Sequence, residues 1–593
     1  ISFVTNGDLS QTGLITLAPN TSGNPQNILF DTRTGNQNSK ITTGSIAYTA
    51  GTPNAVVNYS ELANGGALTV GAVTVTGYIQ LDNTCLSCTT SGVSDLSPAS
   101  LAGSLTTAAG LTVSGALQSD QYIAINTLNN SATLNSVALG ANTLTVTNKS
   151  TAATAISIIG NHNTANVGAP GIASTGVITS NDNGGSLLFK SNGDISQTGA
   201  VNVVANTTAF ASNITYDTTA GNNASIITAG ALTITGTSTS AINYTEITSG
   251  AAITAKALNV PGYILLDMTN GGTVAASAST TATGVTVGGN LTAGNLAGAT
   301  NGIGIYGLST TGTAVSIGTS TTAYTLTNSV GNVYIRGFES AAGGATGISF
   351  DAPFGATTNS IVQNANGGNI TLISNNAINH GGNISIAQNT SGVVSNITYD
   401  TTFGNRLSTI NASNVTFNGT STSYINYKNI ASGAPIIVNS ALVVPGSITF
   451  DNTYLAGVQG GINTNNAWQY GTIATAQRGI YVTSSLTASN GIYIRGVIGA
   501  TTASVVSCCN AVDIAQGLSG ALTTLQTTGT FAAGTSAIEI IGIQPIYNMT
   551  SGANTQNAVK INGNVAINNN SIGGKTNIVA ISGHYNDIVS ITN

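Results

Sequence analysis

Charged residues are scarce in this chain. Its 593 residues include 12 Lys and Arg and 18 Asp and Glu, or 5 % of the total, whereas a typical soluble domain carries about 25 %. No run of Lys or Arg occurs and the formal net charge is −6. A nucleic-acid partner is therefore not expected.

Strong helix formers and long apolar runs are also few. Four Glu, seven Lys and two Met are too few to cover the solvated faces of helices. The longest apolar stretches, such as 441–446, are far shorter than the ~20 residues that span a bilayer. No membrane span is expected.

What the chain does contain favours strands over disorder. It has only 10 Pro, is 41 % hydrophobic, and its 73 Gly are accompanied by abundant Asn, Thr, Ser, Ala, Ile and Val. Disordered segments are poor in β-branched residues and rich in charge and Pro. Short alternating segments broken by Gly and Asn predict an all-β protein.

A long internal repeat organises the sequence. The segment 5–13 (TNGDLSQTG) recurs at 191–199 (SNGDISQTG) and more loosely at 374–382. The matched Asp31, Asp217 and Asp400 follow one another at nearly equal intervals. Further segments recur in the same order, at 27–36, 213–222 and 396–405; at 56–62, 241–247 and 424–430; and at 76–84, 261–269 and 445–453.

Self-similarity at a fixed period is the signature of a repeat architecture, and here it divides the chain into tandem repeats of about 185 residues. We predict solenoid repeats at 1–186, 187–369 and 370–560, with a partial fourth repeat at 561–593, because 569–583 resembles 375–389. Uniform texture without linkers favours one long β-solenoid, in which like residues stack about 4.8 Å apart. Uncharged side chains tolerate such stacking. A coil of about 20 residues would give roughly 30 coils, about nine in each repeat.

Gly/Asn/Thr/Ser-rich strand-and-turn repeats with few Cys resemble the right-handed parallel β-helical surface proteins of bacteria, of the filamentous-haemagglutinin and autotransporter-passenger type. The resemblance covers the whole chain in texture. It implies export, a cell-surface or extracellular location, and a role in adhesion or surface-layer formation.

Six aspartates that follow apolar strands are the main candidate site residues. They are Asp31, Asp217 and Asp400, and Asp82, Asp267 and Asp451. Asp followed by Thr and Gly-Asn is typical of an Asx-turn, in which the carboxylate accepts backbone N–H groups. Calcium binding is the alternative, since calcium takes several oxygen ligands, although no array of the calcium-binding nonapeptide occurs.

Repeated aromatic residues have a packing interpretation and a sugar-binding alternative. Tyr59, Tyr244 and Tyr427 share one Asn-Tyr frame, and we expect them to pack in or against the core. Glu61 and Glu246 accompany two of them, whereas the third repeat has Asn429, which argues against a general acid.

Threonine pairs raise an ice-binding alternative, in which a flat Thr array orders water. The pairs are Thr74/Thr76, Thr145/Thr147 and Thr233/Thr235. Their spacing along the sequence is irregular, so we do not expect them to form an array on one face. Thr also simply favours strands.

The four cysteines form two pairs, Cys85/Cys88 and Cys508/Cys509, and neither belongs to the repeat. In an oxidising compartment local or intersubunit disulfides are expected. One hypothesis joins the first pair of one subunit to the second pair of its neighbour in a filament.

Catalytic signatures are not evident. His162, His380 and His584 are isolated, and no clustered carboxylates with a cation stand out. We expect a non-enzymatic structural or adhesive extracellular protein with no cofactor. The chain starts without Met in a strand-like segment and finishes in another, so we expect a processed or excised form whose ends favour end-to-end assembly into a fibre or surface layer. The alternatives are a glycan- or host-binding adhesin without polymerisation and, further off, a glycan-active β-helix enzyme.

Overall fold

The computed structural model describes most of the chain. It describes residues 1–593 except 19–23, 25, 34–38, 49–54, 63–66, 86–108, 130, 132, 148–152, 163–169, 182–184, 205–210, 222–224, 237–239, 247–251, 270–282, 295–300, 311, 340–345, 352–358, 388–393, 404–407, 418–421, 431–434, 455–471, 474–478, 498–499, 502–509, 516–519, 545–556, 583–588 and 593.

The described residues contain strands and turns and no helix. The strands of the first half are β1 (Ser2–Val4), β2 (Leu9–Gln11), β3 (Ile15–Leu17), β4 (Ile28–Asp31), β5 (Ile41–Thr43), β6 (Ile46–Tyr48), β7 (Val57–Leu62), β8 (Leu68–Val70), β9 (Val73–Val75), β10 (Ile79–Cys85), β11 (Leu111–Val113), β12 (Leu117–Ser119), β13 (Ile123–Asn129), β14 (Val137–Gly140), β15 (Leu144–Val146), β16 (Thr154–His162), β17 (Pro170–Ser174), β18 (Ile178–Ser180), β19 (Ser186–Ser191), β20 (Asp194–Gln197), β21 (Val201–Val203), β22 (Ile214–Thr218), β23 (Ile226–Ala229), β24 (Leu232–Ile234), β25 (Ala241–Glu246), β26 (Ala252–Ala255), β27 (Leu258–Val260) and β28 (Tyr263–Asp267).

The second half continues in the same style. Its strands are β29 (Val285–Val287), β30 (Leu291–Ala293), β31 (Asn301–Ser309), β32 (Val315–Ile317), β33 (Leu326–Glu339), β34 (Thr346–Phe350), β35 (Asn359–Ser374), β36 (Ala377–His380), β37 (Asn383–Ile386), β38 (Ile397–Thr401), β39 (Ile410–Ala412), β40 (Val415–Phe417), β41 (Ile425–Ile430), β42 (Ile436–Val438), β43 (Leu442–Val444), β44 (Ser447–Tyr454), β45 (Thr472–Ile473), β46 (Ile480–Val482), β47 (Leu486–Ala488), β48 (Gly491–Val497), β49 (Ala500–Thr501), β50 (Val512–Ala515), β51 (Thr523–Thr527), β52 (Ser536–Gln544), β53 (Val559–Asn562), β54 (Val565–Asn569), β55 (Lys575–Ser582) and β56 (Val589–Thr592).

The chain divides into two compact units, which are described separately. The first unit contains residues 1–281 and 288–299, and the second contains 282–287 and 300–593. The boundaries predicted from the repeats remain a prediction.

In the first unit each strand pairs in parallel with the third strand after it. Thus β1 pairs with β4, β2 with β5 and β3 with β6. One turn of the chain therefore contributes one strand to each of three sheets, which is the arrangement of a parallel β-solenoid. We call the turn a coil, and the sheets that begin with β1, β2 and β3 faces 1, 2 and 3.

The second unit has the same three parallel faces. Face 1 runs from β31 through β33, β35, β38, β41, β44, β48 and β52 to β55. The long strands β33 and β35 each extend over faces 3 and 1, since Leu326 pairs with Ile361 at one end and Val333 pairs with Ile370 at the other. The predicted all-β parallel solenoid is confirmed.

Alternation explains why such short segments form strands. In β8 and β11, Leu and Val point inward and are fully or nearly buried, while the central Thr is half-exposed. Burying a Val, Leu or Ile side chain contributes about 1.5–3 kcal/mol relative to exposing it. Every coil therefore adds an apolar layer to the layer beneath it, and the backbone hydrogen bonds join the layers.

The coils are longer than the expected length of about 20 residues. Val57 pairs with Ile79, so that coil is close to the expectation, but Ile492 pairs with Ile538 and that coil is about twice as long. Because the short coil already holds β7, β8 and β9, the extra length of the other coils lies mainly in the segments that connect their strands. Six coils separate β1 from β19 in the first unit and β35 from β55 in the second, so the expectation of about nine coils in each repeat is wrong.

Candidate functional site

The six predicted aspartates lie in outward register rows of face 1, four of them in the first unit and two in the second. Asp31 pairs with Ser60 and Ser60 with Asp82. The second repeat has Asp217, Thr245 and Asp267, and the third has Asp400, Lys428 and Asp451. Within each repeat one residue therefore separates the two carboxylates, which keeps them about 9.6 Å apart instead of about 4.8 Å.

Each of these aspartates accepts the backbone N–H of the residue two positions later. The N···Oδ1 distance is 2.9 Å in Asp31, Asp217 and Asp400. It is 2.8, 2.6 and 2.8 Å in Asp82, Asp267 and Asp451. In all but Asp31 the Thr hydroxyl at that position also donates to Oδ1, at 2.6–2.7 Å. These carboxylates end their strands with an Asx-turn.

Asp31 differs because Arg33 replaces the threonine. The Arg33 guanidinium lies 2.6 Å from Oδ2 of Asp31. Burial alone would raise the pKa of Asp31, but the hydrogen bonds and the charge of Arg33 outweigh it and lower that pKa. Burial raises the pKa of Asp82 and of Asp451, against the lowering effect of the Thr hydrogen bonds.

Calcium binding was the alternative role of these aspartates. In the part of the chain that the structure describes, no group of three or more His, Cys, Asp and Glu side chains is arranged to hold a metal ion.

The repeated tyrosines lie inside the coils. Tyr59, Tyr244 and Tyr427 are each 0 % exposed. Tyr59 stacks on Phe30 with ring centroids 4.8 Å apart, and Tyr244 stacks on Tyr216 at 4.9 Å. The packing interpretation is confirmed and the sugar-binding alternative is wrong, because a sugar in solution has no access to these rings.

Glutamate at the end of the same strand is also internal. Glu61 and Glu246 are 0 % exposed. Burial, and to a smaller extent the charge of Asp8, raises the pKa of Glu61 well above its usual value. Asn429 holds the same place in the third repeat, where it accepts a hydrogen bond from Oγ1 of Thr401 at 2.8 Å and donates one to the carbonyl of Ser408 at 2.8 Å.

Two of the three histidines are buried. His380 is 0 % exposed, and its Nδ1 lies 3.1 Å from the hydroxyl of Tyr399. The ring nitrogens of His162 lie 3.1 and 3.3 Å from the carbonyls of Ser131 and Pro170. Burial lowers the pKa of both rings. His584 lies outside the described residues.

The first threonine of each pair lies on one shared face, contrary to the expectation from the irregular spacing of the pairs. Face 3 of the first unit carries one outward row without a register shift, in which Thr74, Thr145 and Thr233 take part. The row is Thr16, Ala47, Thr74, Gln118, Thr145, Thr179, Asn202, Thr233, Asn259 and Thr292. Connecting segments of unequal length hide this alignment in the sequence.

The disulfide hypothesis is not tested. Cys85 ends β10, its side chain is outside the description, and Cys88, Cys508 and Cys509 lie outside the described residues. Any pairing of these cysteines remains a prediction.

Sequence reasoning missed a second outward feature of face 1. Tyr334 on β33 and Tyr493 on β48 point outward in one register row. Arg336 and Arg495 point outward in a second row, two residues further along the same strands. A shared Tyr-Ile-Arg-Gly segment, at 334–337 and 493–496, was the available signal.

Comparisons with protein-family models, with curated proteins and with solved structures found no match. Among the described residues, no helix is long and apolar enough to span a membrane.

Proposed function

We propose that this protein is an extracellular structural and adhesive surface protein rather than an enzyme. The observation that carries the proposal is that the candidate acid–base side chains described above pack in the core or close the turns of the fold. His162 and His380 are buried, the repeat aspartates are hydrogen-bonded to their own turns, and Glu61 is buried inside its coil.

Self-association is part of the proposal. The outward row of face 3 in the first unit has no charged member between Thr16 and Thr292. A second copy can approach such a surface without the cost of removing charges from water. This uncharged row suits side-by-side contact between copies in a fibre or layer.

Electron microscopy and sedimentation of the purified protein test the assembly. Fibres or sheets that grow with protein concentration support it, whereas a monomer at every concentration contradicts it. Antibody labelling of intact and permeabilised producing cells tests location, and labelling that requires permeabilisation contradicts a surface role. Turnover in a carbohydrate-hydrolysis and lyase screen would contradict a non-enzymatic role.

A water-ordering face is a second candidate, favoured by the threonine row. Six of its ten members are Thr and two are Asn, repeated at about 4.8 Å. Regularly spaced hydroxyl and methyl groups could hold an ordered water layer. Inhibition of ice recrystallisation that Thr145→Lys and Thr179→Lys abolish would support this function, and no inhibition by the unsubstituted protein would contradict it.

A further inference from the structure

Two identical Tyr-x-Arg pairs mark the ends of a strip on face 1 of the second unit. Tyr334 and Arg336 lie on β33, and Tyr493 and Arg495 lie on β48. All four side chains are half-exposed. Five strand spacings separate the two pairs along the stack, or about 24 Å.

The residues between the tyrosines form one continuous register row. Tyr334 pairs with Thr371 and Thr449 pairs with Tyr493. The row between them is Thr371, Thr398, Asn426 and Thr449, and all four are half-exposed. Hydroxyl and amide groups that donate and accept hydrogen bonds thus lie between two aromatic rings.

The row two residues further along these strands contains three cationic side chains, and two of them lie beside carboxylates. Lys428 lies between Asp400 and Asp451, and Arg495 lies 2.8 Å from Glu539. Arg336, by contrast, has Tyr306 and Ile373 as its register partners, and its guanidinium lies over the ring of Phe338 at 4.3 Å. The Arg336 end of the strip therefore favours an anionic group.

We propose that this strip binds an acidic oligosaccharide lying along the stack of coils. Tyr334 and Tyr493 stack against sugar rings at the two ends, and the Thr and Asn side chains hydrogen-bond to sugar hydroxyls. The Arg336 guanidinium pairs with a sugar carboxylate, for which its planar donors are suited. The inference rests on the adhesive part of the proposed function and names the ligand class.

Binding of matched oligosaccharides to the full chain tests the strip. The probes are uronic-acid and sialic-acid oligosaccharides, with neutral oligosaccharides of equal length, measured by calorimetry or on an immobilised panel. We expect acidic probes to bind and neutral probes to bind at least tenfold more weakly. Arg336→Ala should reduce that preference about tenfold, and Tyr334→Ala and Tyr493→Ala should each weaken binding about tenfold.

Tyr122→Ala is the matched control. Tyr122 stacks outward on Tyr78 in the first unit, with ring centroids 4.5 Å apart, so its loss should leave binding unchanged. Circular dichroism of each variant checks that the fold is retained. No acidic probe bound, equal binding of neutral probes, or binding that survives all three strip substitutions would overturn the inference.

The assembly measurements on the same samples separate the two proposals. Fibres or layers without glycan binding would overturn this strip alone. Glycan binding by a protein that stays monomeric would leave the strip intact and contradict the assembly.

Discussion

The hydroxyl of Tyr59 lies 2.9 Å from the hydroxyl of Thr43 inside the first unit. Tyr59 belongs to one coil and Thr43 to face 2 of the coil before it. The equivalent contact joins Tyr216 to Gln197 at 2.8 Å and Tyr399 to His380 at 3.1 Å. Each of these three interior tyrosines thus finds its partner at the last position of the preceding face-2 strand.

Tyr244 lacks such a partner, and this predicts a stabilising substitution. Its buried hydroxyl has no hydrogen bond to any described residue, and Ala229 occupies the partner position. Ala229→Thr should reproduce the Thr43 contact and raise the free energy of unfolding by about 1 kcal/mol. Urea denaturation measures the change.

Ala255→Thr is the control for this substitution. Ala255 occupies the same position one coil later, where the following coil presents Leu266 instead of Tyr. The added hydroxyl would be buried without that partner and should destabilise by about 1–3 kcal/mol. Equal effects of the two substitutions would show that the tyrosine contact is unimportant.

His380 predicts acid sensitivity of the third repeat. Burial lowers the pKa of His380 to about 3, whereas a histidine in the unfolded chain titrates near about 6.5. The unfolded state therefore binds the proton first, and stability present above about pH 6.5 is lost as the pH falls toward 3. The loss is on the order of 5 kcal/mol.

Gln197 indicates how to remove this sensitivity, since it fills the position of His380 in the second repeat and accepts from Tyr216. His380→Gln should flatten the stability profile between pH 6.5 and 3, and Gln197→His should steepen it. Thermal unfolding across this pH range measures both. Unchanged profiles in both variants would contradict the assignment.

Glu61 predicts a pH dependence of opposite sign. Because its folded pKa is raised, its contribution is fully present below the unfolded value of about 4.3 and is lost as the pH rises through the folded pKa. Glu61→Gln should make stability less dependent on pH above 5. Asn429→Glu, at the equivalent place, should introduce the dependence, and chemical denaturation at several pH values compares the two.

The close approach of Gly199 to the coil beneath leaves no room for a side chain. A Cβ at this position would overlap the carbonyl oxygen of Gly176 in the coil beneath. Gly199→Ala should therefore cost about 2 kcal/mol or more. At Gly7 a Cβ would meet no atom within 4 Å, so Gly7→Ala should change stability by less than about 0.5 kcal/mol. Denaturation midpoints of the two variants compare these expectations.

Local chemistry made part of the fold predictable. Alternating Leu-Thr-Val segments identify strands because one face must be apolar, and the recurring Asn-Tyr frame identified rings that prove to be buried. The parallel stacking followed from low charge and uniform texture. These inferences depend on residues close together in the chain.

Coil length and surface rows could not be predicted in the same way. Thr449 and Tyr493 are neighbours on one sheet although they lie far apart in the sequence. The residues that connect them do not show, by their sequence, that the two strands are adjacent. The strip between Tyr334 and Tyr493 and the row from Thr16 to Thr292 depend on several such connections. Only the register of the coils brings their members together.

The central claim is that successive coils of the first unit stack in register. Double electron–electron resonance tests it between nitroxide labels on cysteines that replace Thr16, Thr145 and Thr292, two at a time. The four native cysteines are first replaced by Ser. Four and five strand spacings predict distances of about 19 Å for Thr16–Thr145 and about 24 Å for Thr145–Thr292, which add to about 43 Å for Thr16–Thr292. A Thr16–Thr292 distance no longer than the two shorter ones would contradict the stacked solenoid.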